Sequence, residues 1–148
     1  MTGMNIKDTL ALRGDFELQI FRAGELIERY RDPNMIMDAT RDALARLLAG
    51  DGAGKSVSQI GFGTDGNGPS PDDAALTAGY VKAIAAHSYP VAGQVRFDWT
   101  LSTAEANGKT IREFGLLAAD GTLIARKTRG AIEKGDDISL AGSWTIIF

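Results

Sequence analysis

Apolar and polar residues alternate with a period of two along several short segments, the pattern of half-buried β-strands. The strongest alternation covers 94–101. Its apolar face consists of Val95, Phe97, Trp99 and Leu101. The same period at 16–21, an Ala23–Gly24 turn and the segment 25–30 predict a first hairpin. Asp120–Gly121 between two apolar segments predicts a second one, because Gly adopts positive φ without steric cost.

Further strands are predicted at 57–62 and near 80–84, and a last one reaches Phe148. This gives seven or eight strands separated by turns, with Gly/Pro-rich 63–71 as a loop. Short strands at regular spacing are typical of an antiparallel sandwich or closed sheet.

One segment, 35–49, has the period of an amphipathic helix. Its apolar stripe contains Ile36, Ala39, Thr40, Ala43, Leu44, Leu47 and Leu48. Asn34 is the predicted N-cap, Gly50 is the predicted left-handed residue at the C-terminus, and Asp32–Pro33–Asn34 is expected to end the preceding strand. The stripe is expected to pack into the core and cover the open face or end of the sheet.

The predicted fold class is therefore mainly β (α+β): an antiparallel β-sandwich-like domain with one packed amphipathic helix. At 148 residues the chain is predicted to form one domain, 1–148, with a possible N-terminal arm at 1–12. No internal repeat or second domain is indicated.

The composition of the chain excludes several classes of function. A net charge of −3 gives no basic surplus for nucleic acid, so no nucleic-acid partner is predicted. The absence of cysteine removes disulfides and thiolate chemistry. No stretch approaches the roughly 20 apolar residues of a membrane span, and the N-terminus has no signal-peptide pattern. We therefore expect the protein to be made and kept in the cytoplasm until assembly.

A near match to a phosphate-binding loop spans 49–56, ending in Lys55 and Ser56. Such a loop requires a strand before it and a helix after it, so that the helix N-terminus faces the phosphates. Here the predicted helix precedes the loop and a strand follows. We interpret the segment as a solvated linker and predict no cofactor.

The loop 63–73 carries four oxygen-bearing side chains, those of Asp65, Asn67, Asp72 and Asp73. A calcium loop would alternate its ligands and end in a bidentate acid. Pro69 and Pro71 interrupt that spacing, so the favoured interpretation is a surface loop without a metal.

Few other residues suggest chemistry. His87 is the only histidine, and the neighbouring Ser88 would point to the opposite face of a strand, so no catalytic residue is predicted. Trp99 and Trp144 lie in the apolar phase of their strands and are expected in the core. The basic run Arg126, Lys127 and Arg129 is interpreted as solvated loop charge. The protein is predicted not to be an enzyme.

The segment 113–126 contains the pattern E-x-G-L-x-x-x-D-G-x-L-x-A. It resembles a segment found in small virion proteins of tailed bacteriophages and in N-terminal regions of some tail-collar and tail-fibre proteins. The N-terminal hairpin, the Ala-Arg-Leu-Leu-Ala helix, Ile60-Gly-Phe-Gly-Thr64 and Trp144-Thr-Ile-Ile-Phe148 are similar in order and kind. Because a fibre protein would continue past Phe148 into a long shaft, a stand-alone collar, adaptor or tip protein is expected rather than a receptor-binding fibre.

This resemblance implies a structural component of a phage tail, baseplate or fibre-attachment site, located in the virion tail, with other tail, baseplate or fibre proteins as partners. Interface residues are expected at Ile6, Leu10, Ile147 and Phe148, because a short amphipathic N-terminal segment and an apolar terminal strand favour subunit contacts. A homo-oligomer, preferably a trimer, is predicted. The alternatives are a head-decoration protein and a carbohydrate- or cell-surface-binding β module using loop 63–73 with Tyr80 or Tyr89.

Overall fold

The fold comes from a computed structural model that describes residues 12–148. Its strands are β1 (Arg13–Arg22), β2 (Glu25–Ile36), β3 (Val57–Gly63), β4 (Tyr80–Ala83), β5 (Ala86–Ser88), β6 (Gln94–Leu101), β7 (Thr110–Ala118), β8 (Leu123–Glu133) and β9 (Ile138–Ile147). The helix α1 spans Ala39–Ala49. All strand pairs are antiparallel, in the order β4-β3-β7-β8-β2-β1-β9-β6-β5.

This sheet curls into two halves that share β2. One half contains β5, β6, β9, β1 and most of β2, and the other contains the end of β2 with β8, β7, β3 and β4. Aromatic side chains from opposite halves meet in the core: Phe16 lies 4.9 Å from Phe114, and Phe62 lies 5.5 Å from Trp99, between ring centroids. The mainly β, sandwich-like fold with one helix is therefore confirmed.

Several local predictions are confirmed in detail. The strand β6 has the predicted bounds, and its four apolar residues face inward as the alternation indicated. Ala23 and Gly24 both have positive φ, 50° and 81°, which is the backbone of a tight two-residue hairpin turn. Gly121 also has positive φ, and Trp99 and Trp144 are buried in the core. Nine strands are described, slightly more than the seven or eight predicted.

The prediction that Asp32–Pro33–Asn34 ends the first hairpin is wrong, since β2 continues to Ile36. Pro33 lies opposite Asp15 of β1, and β2 pairs with β8 only at Met35 and Ile36. Over the rest of its length the side of β2 that faces β8 has no strand partner, as in an edge strand. A proline, which lacks an N–H, is tolerated on such an edge.

The helix consequently begins four residues later than predicted, at Ala39, and its N-cap position is Asp38 rather than Asn34. Asn34 instead accepts a hydrogen bond of 2.6 Å from the indole Nε1 of Trp144. Gly50 ends the helix with φ 81°, as predicted. Of the predicted apolar stripe on α1, Thr40 and Ala43 are fully buried.

A second, smaller apolar cluster lies on the outer face of the half formed by β3, β7 and β8. It consists of Met37, Leu117 and Leu123, with Leu76 packed against them. Leu76 belongs to the long connection between β3 and β4, so this cluster seats that connection on the sheet.

Candidate functional site

An apolar pocket opens at the end of the sandwich where β1 begins and β9 ends. Its volume is about 370 Å³. The floor is formed by core residues, among them Phe97, Ile124 and Ile146, and one wall is formed by Ala43, Leu44 and Leu47 of α1. The opposite wall carries His87 and Tyr89. The helix therefore covers this open end only in part.

The rim of this pocket is unusually apolar for an exposed surface. Leu48 is 90% exposed and Tyr89 73% exposed, while Phe148 and Leu47 are 47% and 42% exposed. Val91, in the turn before β6, is also exposed. We call these five residues the apolar rim; Leu47, Tyr89 and Phe148 line the pocket, and Leu48 and Val91 are their near neighbours in the sequence. Clusters of exposed apolar side chains are typical of interaction sites.

Two of the predicted interface residues lie here. Phe148 lines the pocket, and its backbone N–H donates to the carbonyl of Gly93 at 2.9 Å. Ile147 is half-buried in β9. The other two, Ile6 and Leu10, lie outside the described residues. The expectation that Leu47 and Leu48 pack into the core is wrong, because α1 crosses the open end and leaves both side chains exposed.

The ammonium group of Lys55, which lines the pocket, is engaged elsewhere. Lys55 forms an ion pair of 2.8 Å with Asp120 and donates to the Thr122 hydroxyl at 3.3 Å. This contact, with hydrogen bonds from Thr122, lowers the pKa of the Asp120 carboxyl. The structure has α1 before this segment and β3 after it, the reverse of the phosphate-binding order, and carbonyls of the segment accept hydrogen bonds from amides of the β7–β8 turn. Lys55 thus tethers a linker.

His87 occupies the short edge strand β5, with its ring 5.8 Å from that of Tyr89. It is exposed. Trp99 and Trp144 are packing residues, with Trp144 against Phe16 at 4.9 Å. In the segment 12–148, no group of three or more histidine or acidic side chains is placed to hold a metal.

A buried ionic network lies on the outer face of the other half. The Arg126 Nε donates to the Glu113 carboxylate at 2.8 Å, and its Nη1 donates to Asp73 at 3.0 Å. Glu113 also accepts from the backbone amides of Asp65 and Thr77, both at 2.9 Å. Burial by itself would lower the pKa of Arg126, but Glu113 and Asp73 outweigh it and raise the pKa.

The interpretation of Arg126, Lys127 and Arg129 as solvated loop charges is therefore wrong. All three lie on β8, and the first two are buried. Lys127 binds Asp32 and donates to the carbonyl of Pro33 at 3.0 Å. Arg129 binds Glu28 at 2.6 Å. These two bridge β8 to β2 where the strands are not paired by backbone hydrogen bonds.

The same ionic network explains why the loop 63–73 is rich in acidic residues. Asp65 and Asp73 point to Arg126, at 3.5 Å and 3.0 Å. Asp72 accepts from the Ser70 hydroxyl at 2.6 Å. The acidic side chains that suggested a cation site are thus partners of an internal guanidinium group and a neighbouring hydroxyl.

The residues of the segment 113–126 hold parts of the scaffold together. Glu113 fixes the connection 64–77, Gly115 leaves room for the side chain of Leu76, and Asp120 binds Lys55. Gly121, with φ 91°, forms the turn. Each of these residues shapes the scaffold.

Sequence reasoning did not identify the pocket. The available signal was the apolar stripe of the predicted helix, whose last leucines need a partner to cover them. Comparison of the chain with protein-family models, curated proteins and solved structures finds no significant match. Within 12–148 no helix has the length and apolar character needed to cross a membrane.

Proposed function

We propose that the protein is a structural subunit of a bacteriophage tail, at the baseplate or fibre-attachment site, that acts through protein–protein contacts. The observation that carries this proposal is the apolar rim around the partly open end of the sandwich. Exposed apolar side chains of this kind lower the free energy of association when a partner removes them from water.

The chemistry of the pocket supports a protein partner. Its lining is dominated by aliphatic and aromatic carbon, and Lys55 is already paired with Asp120. A small-molecule site usually adds a few polar groups that converge on the ligand. His87 and Tyr89 also line the pocket, but its surface is mostly apolar, which suits the side chains of another polypeptide.

The resemblance at 113–126 directs the proposal to a phage tail. In this proposal the protein is made in the host cytoplasm, assembles as a homo-oligomer with a trimer as first preference, and joins other tail, baseplate or fibre proteins. The same rim would serve a head-decoration protein equally well. The carbohydrate-binding alternative has less support, because the Asp65 and Asp73 side chains are bound to Arg126 and the Tyr80 hydroxyl donates to Glu105.

The decisive experiment is electron microscopy of phage particles that carry a tagged copy of this protein. Label at the tail or baseplate supports the proposal, and label on the capsid replaces it with head decoration. Deletion that leaves infectious, fibre-bearing tails would also contradict it.

A pair of variants tests the apolar rim directly. Phe148→Asp should abolish incorporation into particles or oligomers, because a carboxylate replaces an apolar contact. Ile27→Asp is the matched control: Ile27 is 50% exposed and lies at the other end of the sandwich, near the β1–β2 turn. Equal incorporation of both variants would show that the rim is not the interface.

A further inference from the structure

Two asparagine–glycine pairs, Asn67–Gly68 and Asn107–Gly108, lie in exposed connections of this protein. The first lies between β3 and β4, and the second lies in the turn between β6 and β7. An asparagine that precedes glycine is prone to lose its side-chain amide, because a backbone nitrogen next to a residue without Cβ can approach the asparagine Cγ closely. Sequence and exposure alone therefore predict the same reactivity for both pairs.

The Asn107–Gly108 pair is held at each group that this reaction has to move. The Asn107 Nδ2 donates to the carbonyl of Thr103 at 2.8 Å, and its Oδ1 accepts from the Lys134 ammonium at 2.7 Å. The Gly108 N–H donates to the carbonyl of Lys134 at 2.8 Å. Lys134 is only 2% exposed, and its ammonium also donates to the carbonyl of Gly135 at 3.0 Å. One buried lysine thus holds both the side chain and the backbone nitrogen of this pair.

The Asn67–Gly68 pair is held much less. Within residues 12–148, neither the side chain of Asn67 nor the N–H of Gly68 has a hydrogen-bond partner. The backbone N–H of Asn67 donates to Asp65 at 2.9 Å, but this group takes no part in the reaction. A Cβ placed on Gly68 would meet no atom within 4 Å, so the space around its nitrogen is open.

We propose that Asn67 is a site of spontaneous deamidation, whereas Asn107 is protected by its contacts with Lys134 and Thr103. The Gly68 nitrogen loses its proton to water and forms a bond to the Asn67 Cγ. The bond from Cγ to Nδ2 then breaks, and the nitrogen takes a proton from water and leaves as ammonia. Water opens the resulting cyclic imide at either carbonyl and gives aspartate or isoaspartate.

The net reaction exchanges ammonia for water, so it requires no oxidant, reductant or enzyme. Deamidation adds one carboxylate to the connection 64–79, in which Asp65 and Asp73 already bind Arg126. Because the side chain of Asn67 is exposed, the new charge remains in water and should leave the fold intact. This inference concerns the isolated chain and does not depend on the proposed role in a phage tail.

Incubation of the full-length protein at mildly alkaline pH, followed by trypsin digestion and mass spectrometry, measures both sites in one sample. Lys82 lies between the two asparagines, so they occur in different peptides. The Asn67 peptide should gain the mass difference between an amide and an acid, and it should separate into aspartate and isoaspartate forms. The Asn107 peptide should react at least roughly tenfold more slowly, because a hydrogen bond has to open first. An intact Asn67, or equal rates at the two sites, would overturn the proposal.

The same incubation in concentrated urea separates the effect of the fold from that of the neighbouring sequence. In the unfolded chain both pairs lose their contacts, so Asn67 and Asn107 should react at similar rates. If Asn107 remains equally slow in urea, its contacts in the folded protein are not the cause of its protection, and the proposal is wrong.

Lys134→Met tests the protecting residue. It removes the ammonium from the Asn107 Oδ1 and should accelerate deamidation of Asn107 several-fold in protein that circular dichroism shows to be folded. Lys55→Met is the control, because Lys55 binds Asp120 at the opposite end of β7. Equal rates at Asn107 in the two variants would overturn the role of Lys134; if Lys134→Met does not fold, the comparison in urea decides.

Gly68→Ala tests the reactive nitrogen of the first pair. The added methyl group shields this nitrogen and should slow deamidation of Asn67 several-fold, while the open space around it leaves the fold unchanged. An unchanged rate would show that the Gly68 nitrogen is not the attacking group and would overturn the proposed reaction.

Discussion

Two elements cover the sheet in this protein, and they are fixed to very different degrees. The irregular connection 64–79 lies on the outer face of β3, β7 and β8, where Leu76 packs into an apolar cluster and Glu113 binds two of its amides. The regular helix α1 lies across the open end with only Thr40 and Ala43 fully buried. The irregular connection is therefore attached to the sheet more firmly than the regular helix is.

The difference arises from what lies underneath each element. Gly61 and Gly115 are directly opposite each other on β3 and β7, and together they leave a depression that Leu76 fills. Beside it the Glu113–Arg126 pair supplies donors and an acceptor to the connection. Beside the second half of the helix lies the apolar pocket, and Leu47 and Leu48 remain exposed.

The largest expected effect comes from removing Arg126, the buried cation of β8 that binds the connection 64–79. Arg126→Met should lower the free energy of unfolding by about 3–5 kcal/mol, because it leaves the fully buried Glu113 carboxylate without its counter-charge. Chemical denaturation measures this directly. Arg112→Met is the control, since Arg112 is exposed on β7 and should change stability by at most about 0.5 kcal/mol.

The double variant Arg126→Met/Glu113→Gln separates charge from packing. Glutamine keeps an acceptor for the amides of Asp65 and Thr77 but carries no charge. We expect this double variant to be more stable than Arg126→Met alone. If the double variant is no more stable, the unpaired carboxylate is not the cause of the loss.

A smaller effect is expected from filling the depression under Leu76. A Cβ at Gly61 would lie 2.5 Å from the Leu76 Cδ1 and 3.1 Å from the Leu117 Cδ1. Gly61→Ala should therefore cost about 1–3 kcal/mol through crowding and lift the connection from the sheet. Gly68→Ala, within the same connection and with open space around its Cβ, should be near neutral. Equal losses would show that the depression does not seat the connection.

The sequence predicts most strands of this fold, because a period of two survives wherever one strand face is in the core, but it misses β5 and the charged second half of β8. It does not predict the attachment of the connection. Glu113 and Arg126 are 13 residues apart, and their other partners lie 36 to 61 positions away. A local basic run is usually solvated, and only the folded sheet brings an acidic loop over it.

The position at which α1 begins is also decided by residues far away in the sequence. Period 3.6 begins at Met35 in the sequence, yet Met35 and Ile36 pair with Arg126 and Ala125 of β8. A strand about 90 residues away thus decides their conformation, and the helix starts only after these two residues. The apolar pocket was missed for a related reason, since a stripe of leucines does not reveal how much sheet is available to cover it.

The helix should respond weakly to substitution if its second half is poorly packed. Leu44→Ala should cost about 1–2 kcal/mol, less than the roughly 2–5 kcal/mol of a fully buried leucine, because Leu44 is half-buried. Leu48→Ala, at 90% exposure, should cost at most about 0.5 kcal/mol. Thermal or chemical unfolding of the two variants measures the difference. A loss above about 3 kcal/mol for Leu48→Ala would mean that the helix end is covered in solution.

A last small effect concerns a turn held by partly exposed charge rather than by buried charge. Glu105, between β6 and β7, accepts hydrogen bonds from Lys82 at 2.7 Å and from the Ser102 amide at 2.8 Å. These contacts, with the Tyr80 hydroxyl, lower the pKa of Glu105 from 4.5 to about 2. A carboxyl with a lowered folded-state pKa stabilises the protein above its unfolded-state pKa, and this stabilisation disappears as the pH falls from about 4.5 to about 2.

Glu105→Gln should therefore reduce stability by about 1 kcal/mol at pH 6, the scale of a hydrogen bond to a charged group that remains partly solvated. At about pH 2.5 the difference from wild type should be much smaller, because the wild-type carboxyl is by then close to its own pKa. Glu25→Gln, at an exposed position beside the β1–β2 turn, provides the control and should show little pH dependence. If the stability difference between wild type and the Glu105→Gln variant is equal at both pH values, Glu105 is not held as an ion, and packing alone fixes this turn.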